Sequence, residues 1–169
     1  MDAMEAILSR KSIRKYTKEP VSDETLKEIL EAAMSAPSAG NEQPWHFVII
    51  KDRRILDEIP QVHPYAQSVK TASVAVAVCG DLKAEVYEGF WVQDCAAAAE
   101  NILIAVQAKG LGAVWLGIHP ITERVKGMQK LLKLPDHVIP LAVIPIGCPE
   151  EQKPQTNRFN ASRIHNNSW

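Results

Sequence analysis

The stretch of residues 90–109 limits the possible folds of this chain most strongly, because it reads as one long helix with apolar residues on every side. A helix without a polar face has to be covered by other elements, so we expect it to be buried. Its run of alanines permits a neighbour to approach closely. This neighbour can belong to the same domain or to a second copy of the chain, and the sequence fits both alternatives equally well. Asp94 and Glu100 each need a polar partner in such a helix, and we expect their roles to be structural.

Four apolar stretches predict the strands of a sheet. They comprise residues 45–50, 72–80, 113–118 and 139–147. Near-continuous apolar character, as in residues 45–50, is typical of a strand that is buried on both faces. His46, which lies within this strand, is then expected to be a core histidine with satisfied hydrogen bonds rather than a catalytic group.

Helical patterns alternate with these strands and indicate an α+β fold class. The apolar stripe of Met4, Ile7 and Leu8 predicts a short helix over residues 2–9. Ser22 is suited to cap a second helix, because its hydroxyl oxygen can accept from the first free backbone N–H groups. Further helical patterns occupy residues 53–59, 65–69 and 121–132, with interruptions at Pro60, Pro64 and Pro135.

The composition excludes several classes of protein. A length of 169 residues fits one domain over residues 1–169, and the net charge of −1 gives no indication of nucleic acid or an acidic membrane as a partner. No uncharged apolar run reaches about 18 residues, and the acidic N-terminus is unlike a signal peptide, so we expect a cytoplasmic protein. The three cysteines lack C-x-x-C spacing and the five histidines form no closely spaced pair. We therefore expect neither a disulfide framework nor a metal site.

A basic stretch, Arg10-Lys11-Ser12-Ile13-Arg14-Lys15-Tyr16, follows the first helical pattern. If the stretch is extended, its side chains alternate, so that Arg10, Ser12 and Arg14 share one face. A guanidinium group donates paired hydrogen bonds to phosphate, and its charge strengthens them. The stretch therefore fits a phosphate ester. Taken alone, it fits a solvated basic turn equally well.

The loop of residues 37–45 combines two prolines and a glycine with three neutral polar side chains, Ser38, Asn41 and Gln43. Such a loop can present rigid backbone together with hydroxyl and amide groups. It is a second candidate for binding a ligand.

The glycines of residues 110–112 do not indicate a dinucleotide-binding fold. They follow a helix and precede a strand, whereas the dinucleotide-binding fingerprint follows a strand and opens a helix. We expect Gly110 to end the long helix in a left-handed conformation.

The order of two motifs resembles the nitroreductase family of FMN-dependent oxidoreductases. The first motif is Arg10-x-Ser12-x-Arg14-x-Tyr16, and the second is Ala-Pro-Ser-Ala-Gly-Asn-x-Gln-Pro-Trp at residues 36–45. The resemblance extends through the long helix to a basic residue in the tail. It implies a three-layer α/β/α fold with a mostly antiparallel central sheet. It also implies a homodimer in which residues 148–169 form an extended tail that packs on the partner subunit.

The resemblance further implies an FMN phosphate site near the N-terminus. Arg10, Ser12 and Arg158 would hold the phosphate, and Lys153 is a weaker candidate than Arg158 for the basic residue of the tail. Arg14 would face the flavin edge on which reduction builds negative charge, where a fixed cation favours the reduced form.

The other implied flavin contacts come from distant parts of the chain. The backbone at Leu116 and Gly117 would meet the flavin N5 atom, and the 37–45 loop would reach the site of the second subunit. Lys70 is a further candidate, in a region expected near the flavin edge. The complete set of expected cofactor-binding residues is Arg10, Lys11, Ser12, Arg14, Pro37, Ser38, Ala39, Asn41, Gln43, Trp115, Leu116, Gly117 and Arg158.

The implied activity is hydride transfer from NADH or NADPH to a nitroaromatic, a quinone or a similar small oxidant by a ping-pong mechanism. The flavin carries this chemistry, so no catalytic side chain is expected. Flavin-fragmenting and dehalogenating members share the FMN motifs and remain alternatives, and the short chain implies a reduced lid over the pocket. A flavin-storage protein without turnover is another alternative, with Trp91 or Trp169 covering the open face of the ring.

Overall fold

The computed structural model describes residues 1–169 and contains one five-stranded sheet. The strands are β1 (Trp45–Ile50), β2 (Val74–Asp81), β3 (Gly112–Ala113), β4 (Leu116–Gly117) and β5 (Val138–Gly147). Their order is β1-β2-β5-β3, and β4 also pairs with β5. All of these pairings are antiparallel, as expected.

Five α-helices surround the sheet. They are α1 (Ala3–Ser9), α2 (Asp23–Met34), α3 (Arg53–Val62), α4 (Trp91–Ala108) and α5 (Thr122–Leu132). Short 3₁₀-helices occupy Ala39–Asn41, Gln67–Lys70 and Ala161–Arg163. Ser22 caps α2 as predicted, because its Oγ accepts from the Thr25 N–H at 3.1 Å. No helix is both long enough and apolar enough to cross a membrane.

The side chains of β2 separate the two halves of the core. Val74, Val76 and Val78 belong to a cluster that contains buried residues of α2 and α4. Ala75 and Ala77 belong to a second cluster that contains buried residues of α3 and α5. Because alternate side chains of a strand point to opposite faces, helices cover both faces of the sheet. The expected three-layer α/β/α architecture is confirmed.

The long helix α4 is buried against the sheet, as its composition predicts. Ala98, Ala99 and Ile102 are fully buried within it. Gly110 follows the helix with φ of +73°, the left-handed conformation expected at this position. Glu100 lies on the half-exposed side of the helix, where its Oε1 is 3.6 Å from the Arg10 Nε atom.

The prediction that residues 45–50 are buried on both faces is wrong. β1 lies at the edge of the sheet, and Ile49 keeps 43% of its surface exposed. His46 is exposed as well, with Nε2 3.7 Å from an Asp81 carboxylate oxygen, so it is not a core histidine. A run of apolar residues does not distinguish an edge strand from a central one, since the chain topology decides which strands have two neighbours.

Two other boundaries differ from the sequence interpretation. Residues 113–118 form two short strands, β3 and β4, because Val114 and Trp115 interrupt the pairing with β5. α3 continues through Pro60 to Val62, although the proline has no N–H to donate to the Leu56 carbonyl one turn earlier.

Candidate functional site

The basic stretch leaves α1 and runs extended beside β3. Ser12 forms a parallel bridge with Ala113, and the Ile13 N–H donates to the Ala113 carbonyl at 2.8 Å. Ile13 and Tyr16 are buried, and the two cations between them, Arg14 and Lys15, are exposed. The Tyr16 hydroxyl donates to the Ile13 carbonyl at 2.5 Å, and burial raises the pKa of this phenol. The stretch is therefore held through Ile13 and Tyr16, while Arg10 and Lys11 are half-buried and Arg14 and Lys15 are exposed.

A cavity of about 660 Å³ lies between α1, the basic stretch and the C-terminal tail. Arg10, Lys11 and Arg158 line it, together with two apolar residues of α1, Ile7 and Leu8. Its remaining lining residues are Gln155, Thr156, Asn157 and Phe159 of the tail. Three cations from opposite ends of the chain thus meet at one cavity, and a negatively charged group would be stabilised there.

Lys153 has a different environment from Arg158. Its ammonium group donates to the Ser12 carbonyl at 2.5 Å and lies 3.3 Å from Glu151 Oε1. The same Glu151 oxygen accepts from the Arg14 N–H at 2.5 Å, and that hydrogen bond holds the pKa of the Glu151 carboxyl group below its usual value. Lys153 therefore anchors the start of the tail to the basic stretch.

Ser12 and Arg14 do not line the cavity. The Ser12 side chain is partly buried next to β3, and the Arg14 side chain is exposed. Lys70 ends the second 3₁₀-helix, is exposed, and does not line this cavity either.

The loop of residues 37–43 is ordered by its own polar groups. Ser38 Oγ accepts from the Gln43 N–H at 3.0 Å, and the Gln43 side-chain amide donates to Asn41 Oδ1 at 2.8 Å. Gly40, Asn41 and Gln43 have φ of +52°, +59° and +48°. A Cβ on Gly40 would overlap the Tyr87 ring, and the positive φ also favours glycine at this position. Pro37, Asn41 and Gln43 are exposed to solvent.

This loop does not reach the cavity within one chain. The Ala39 N–H donates to Asp94 Oδ1 at the start of α4, at 3.0 Å. Ser9, beside the basic stretch, accepts from Gln107 near the end of α4, at 3.2 Å. At about 1.5 Å per helical residue, roughly 20 Å separates Asp94 from Gln107. The two ligand-binding candidates therefore lie at opposite ends of one helix.

The backbone at β4 has open space beside it. The nearest atom to a Cβ built on Gly117 is Trp115 Nε1, at 3.9 Å. Leu116 is buried and Trp115 half-buried, and the Gly117 carbonyl accepts from Arg124 Nη1 at 3.0 Å. A flat ligand could thus approach the Gly117 backbone closely.

Arg124 also faces His63, with 3.4 Å between Nη1 and Nε2. His63 is buried and its Nδ1 has no hydrogen-bond partner. Burial and the Arg124 charge both hold the pKa of the His63 imidazole below its usual value. The His63 ring is thus neutral at neutral pH. The Arg124 side chain holds the β4 backbone through its hydrogen bond to the Gly117 carbonyl.

Trp91 does not cover a ligand site, because it is buried under Gly80 and contacts the His119 ring edge-on at 4.9 Å. Trp169 is fully exposed at the end of the tail and stacks on His165. No group of three or more His, Cys, Asp or Glu side chains is arranged to hold a metal ion.

The sequence model of the nitroreductase family matches residues 7–78 and 61–148. The chain belongs to the nitroreductase family. A protein from Methanothermobacter thermautotrophicus, provisionally named NADH dehydrogenase/NAD(P)H nitroreductase, is 49% identical over 169 residues, which are 100% of this chain and 88% of the relative.

Solved nitroreductase structures share the whole fold. A structure from Parabacteroides distasonis, with the same provisional name, superposes with a TM-score of 0.95 at 41% identity and covers 99% of this chain and 98% of its own. A structure from Desulfovibrio desulfuricans, described as a nitroreductase in complex with FMN, has a TM-score of 0.86 at 34% identity. That alignment covers 100% of this chain and 98% of the other.

Sequence reasoning missed three polar residues of this nitroreductase fold. Arg124 and His63 carry no motif and are 61 positions apart, so only the folded chain brings them together. Glu42 lies inside the second motif, but its two backbone partners, Val86 and Tyr87, come from a segment without periodicity. The one feature of the sequence that could have indicated a role for Glu42 is that it is an acidic side chain in an otherwise neutral loop.

Proposed function

We propose that this protein is an FMN-dependent NAD(P)H oxidoreductase. The observation that carries the proposal is the cavity shared by Arg10, Lys11 and Arg158. A phosphate monoester carries almost two negative charges at neutral pH, and these three cations complement it. The volume of about 660 Å³ is typical of cofactor sites. The FMN complex of the Desulfovibrio desulfuricans relative supports FMN as the phosphate ester.

The other expected contacts surround the ring rather than the phosphate. Arg14, exposed beyond the cavity, supplies a fixed positive charge for the flavin edge. Gly117 leaves space for the ring next to its backbone, and Arg124 holds that backbone through the Gly117 carbonyl. Ser12 supports the phosphate-binding stretch from beside β3.

The complete site is proposed to form between two copies of the chain. Within one copy, the 37–43 loop and the basic stretch are bound to opposite ends of α4. Met4, Ile7 and Leu8 on α1 expose 62%, 48% and 60% of their surfaces. In a homodimer these apolar side chains would be covered, and Pro37, Ser38, Ala39, Asn41 and Gln43 would reach the partner's flavin.

The tail is proposed to pack on the partner subunit. Residues 148–153 are fixed by hydrogen bonds such as Glu150 N–H to the Lys15 carbonyl, at 2.9 Å. Residues 154–169 are exposed apart from their contribution to the cavity, and Phe159 and Ile164 expose 74% and 58% of their surfaces. Such a segment has too few apolar contacts to be ordered by its own chain alone.

When bound, FMN supplies hydride transfer from NADH or NADPH to a small oxidant, such as a nitroaromatic or a quinone, in a ping-pong sequence at one face of the ring. The chain's own residues bind the phosphate, orient the ring and supply the positive charge. No side chain is required to act as a general base.

Arg158→Ala tests the phosphate assignment. A hydrogen bond to a charged group is worth about 1.5–3 kcal/mol, so we expect FMN affinity to fall about 10- to 100-fold. Arg163→Ala is the matched control, because Arg163 is an exposed tail arginine that does not line the cavity. Affinity is measured by quenching of FMN fluorescence, and the thermal midpoint checks the fold. Equal affinities for the two variants would contradict the assignment.

A further inference from the structure

Arg124 carries a positive charge beside β4, and no acidic side chain balances it. It is the third residue of α5, and its side chain is half-buried. Its Nη1 donates to the Gly117 carbonyl at 3.0 Å and lies 3.4 Å from His63 Nε2. None of the ion pairs of the chain includes Arg124. The guanidinium group therefore faces a backbone oxygen and an imidazole, and no carboxylate.

This position is unfavourable for a cation. The first turn of a helix carries a partial positive charge from its free N–H groups, which disfavours a positively charged side chain. The His63 ring cannot compensate the charge, because burial and Arg124 itself hold the pKa of the imidazole below its usual value. For stability alone, a neutral donor would bind the Gly117 carbonyl without these costs. Departures of this kind from local rules are expected at functional sites.

The packing of α5 against α3 keeps the guanidinium group at β4. A Cβ on Gly127, one turn after Arg124, would lie 2.6 Å from Val62 Cγ1. Glycine at this position thus lets the two helices come close together next to His63. The Arg124 side chain is thereby placed between the end of α3 and β4.

The position of β4 depends on few hydrogen bonds. The strand consists of two residues and pairs with β5 alone. Arg124 is the one side chain that donates to its backbone. The residue that accepts this hydrogen bond, Gly117, also has open space beside it, with Trp115 Nε1 at 3.9 Å from a Cβ built there. A ligand in contact with the Gly117 backbone would therefore be close to an unbalanced positive charge.

We propose that Arg124 is a positioning residue that acts on a bound flavin through Gly117. It fixes the β4 backbone against the ring, and its unbalanced charge stabilises the reduced ring more than the oxidised one. The proposal rests on the proposed function, which places the FMN ring at Gly117. A hydride adds two electrons and one proton, so the ring gains one negative charge when NADH or NADPH reduces it. A cation that is already in place favours the product of that change.

Arg14 has the same sign of charge but a different environment. It is exposed, whereas Arg124 is half-buried. Salt screens interactions between exposed charges strongly and those of partly buried charges much less. The Arg124 charge is therefore expected to act on the ring even at physiological ionic strength.

Three substitutions separate the charge of Arg124 from its hydrogen bond. Arg124→Lys keeps a positive charge and a donor. Arg124→Gln keeps a donor without the charge, and Arg124→Met removes both. Lys126→Gln is the matched control, because it removes one charge from an exposed position of the same helix. A purely structural arginine would give similar results for Arg124→Lys and Arg124→Gln.

The role of the charge is tested by the midpoint potential of the bound FMN, measured by anaerobic reductive titration against a reference dye. In Arg124→Gln we expect the affinity for reduced FMN, relative to oxidised FMN, to fall about tenfold, which lowers the two-electron midpoint by about 30 mV. Arg124→Met should shift it by a similar amount, whereas Arg124→Lys and Lys126→Gln should stay close to the wild type. A wild-type potential in Arg124→Gln, or equal shifts in Arg124→Lys and Arg124→Gln, would overturn the role of the charge.

The role of the hydrogen bond is tested by amide hydrogen exchange in the same proteins without flavin. The Gly117 carbonyl and the Ile118 N–H belong to one peptide group, and this N–H donates to the Leu141 carbonyl at 2.9 Å. We expect its exchange rate to rise about tenfold in Arg124→Met and less in Arg124→Gln, which keeps a donor. Unchanged exchange in Arg124→Met would overturn the positioning role. If Arg124→Met does not fold, the comparison of Arg124→Lys with Arg124→Gln still decides the role of the charge.

FMN uptake distinguishes this proposal from the proposed function. Wild-type protein that takes up no FMN would overturn the proposed function and the effect of Arg124 on the ring, while the exchange measurement still decides whether Arg124 holds β4. FMN bands that bleach with NADH or NADPH, without the expected shift in potential, would leave the proposed function intact and overturn only the role of the charge.

Discussion

Gly112→Ala tests whether tight packing between β3 and the basic stretch contributes to the stability of the fold. A Cβ on Gly112 would lie 2.7 Å from Ile13 Cγ2 and 2.8 Å from Ile13 Cβ. Ile13 cannot move away freely, because its N–H donates to the Ala113 carbonyl at 2.8 Å. Overpacking of this kind costs about 1–3 kcal/mol. For a domain of this size each kcal/mol shifts the thermal midpoint by about 2–4 °C, so we expect a loss of about 2–12 °C.

Differential scanning calorimetry provides the measurement, and Gly117→Ala is the matched control for stability. Its Cβ would meet nothing closer than 3.9 Å. Replacing glycine by alanine also restricts the unfolded chain, and this effect is similar in both variants. We expect Gly117→Ala to unfold at or above the wild-type midpoint. Equal midpoints for the two variants would refute the packing argument for Gly112.

The remaining predictions concern the ring, the tail and the scaffold. Gly117→Ala should leave folding intact but weaken FMN binding about tenfold in a fluorescence titration, because the new methyl group occupies the open side of β4. Unchanged FMN affinity would contradict the placement of Gly117 next to the flavin ring. Lys153→Met should cost about 1 kcal/mol of unfolding free energy in a urea titration and speed proteolysis of the tail, since its ammonium group no longer binds the Ser12 carbonyl. Ser22→Ala should cost about 1 kcal/mol in the same assay, whereas Ser22→Asp, which keeps a capping oxygen, should cost little.

The main elements of the fold could be predicted because their patterns are local. The apolar surface of α4, the Ser22 cap and the left-handed Gly110 follow from residue types within a few positions of each other. The edge position of β1 could not be predicted in this way. It depends on which strand pairs with which, and Ile49 looks the same in an edge strand as in a central one.

The candidate site was predictable to a different degree in each part. The alternation in the basic stretch predicted a shared face of Arg10, Ser12 and Arg14, but of these only Arg10 lines the cavity, next to Lys11. The family resemblance selected Arg158 over Lys153 as the distant cation. The structure brings Arg10 and Arg158 to one cavity and gives Lys153 an anchoring role. The hydrogen bonds that Glu42 accepts from the Val86 and Tyr87 N–H groups could not be predicted, because they join segments that are 44 and 45 positions apart in the sequence.

Whether the protein is a flavoprotein that oxidises NAD(P)H is decided by its visible absorption spectrum, recorded on the purified protein before and after addition of NADH or NADPH in the absence of oxygen. We expect flavin bands that bleach with at least one of the two nucleotides. Flavin bands that persist with both would contradict NAD(P)H oxidation and favour a flavin-storing protein. A colourless protein that fails to take up added FMN would contradict the assignment of the Arg10, Lys11 and Arg158 cavity as a flavin phosphate site.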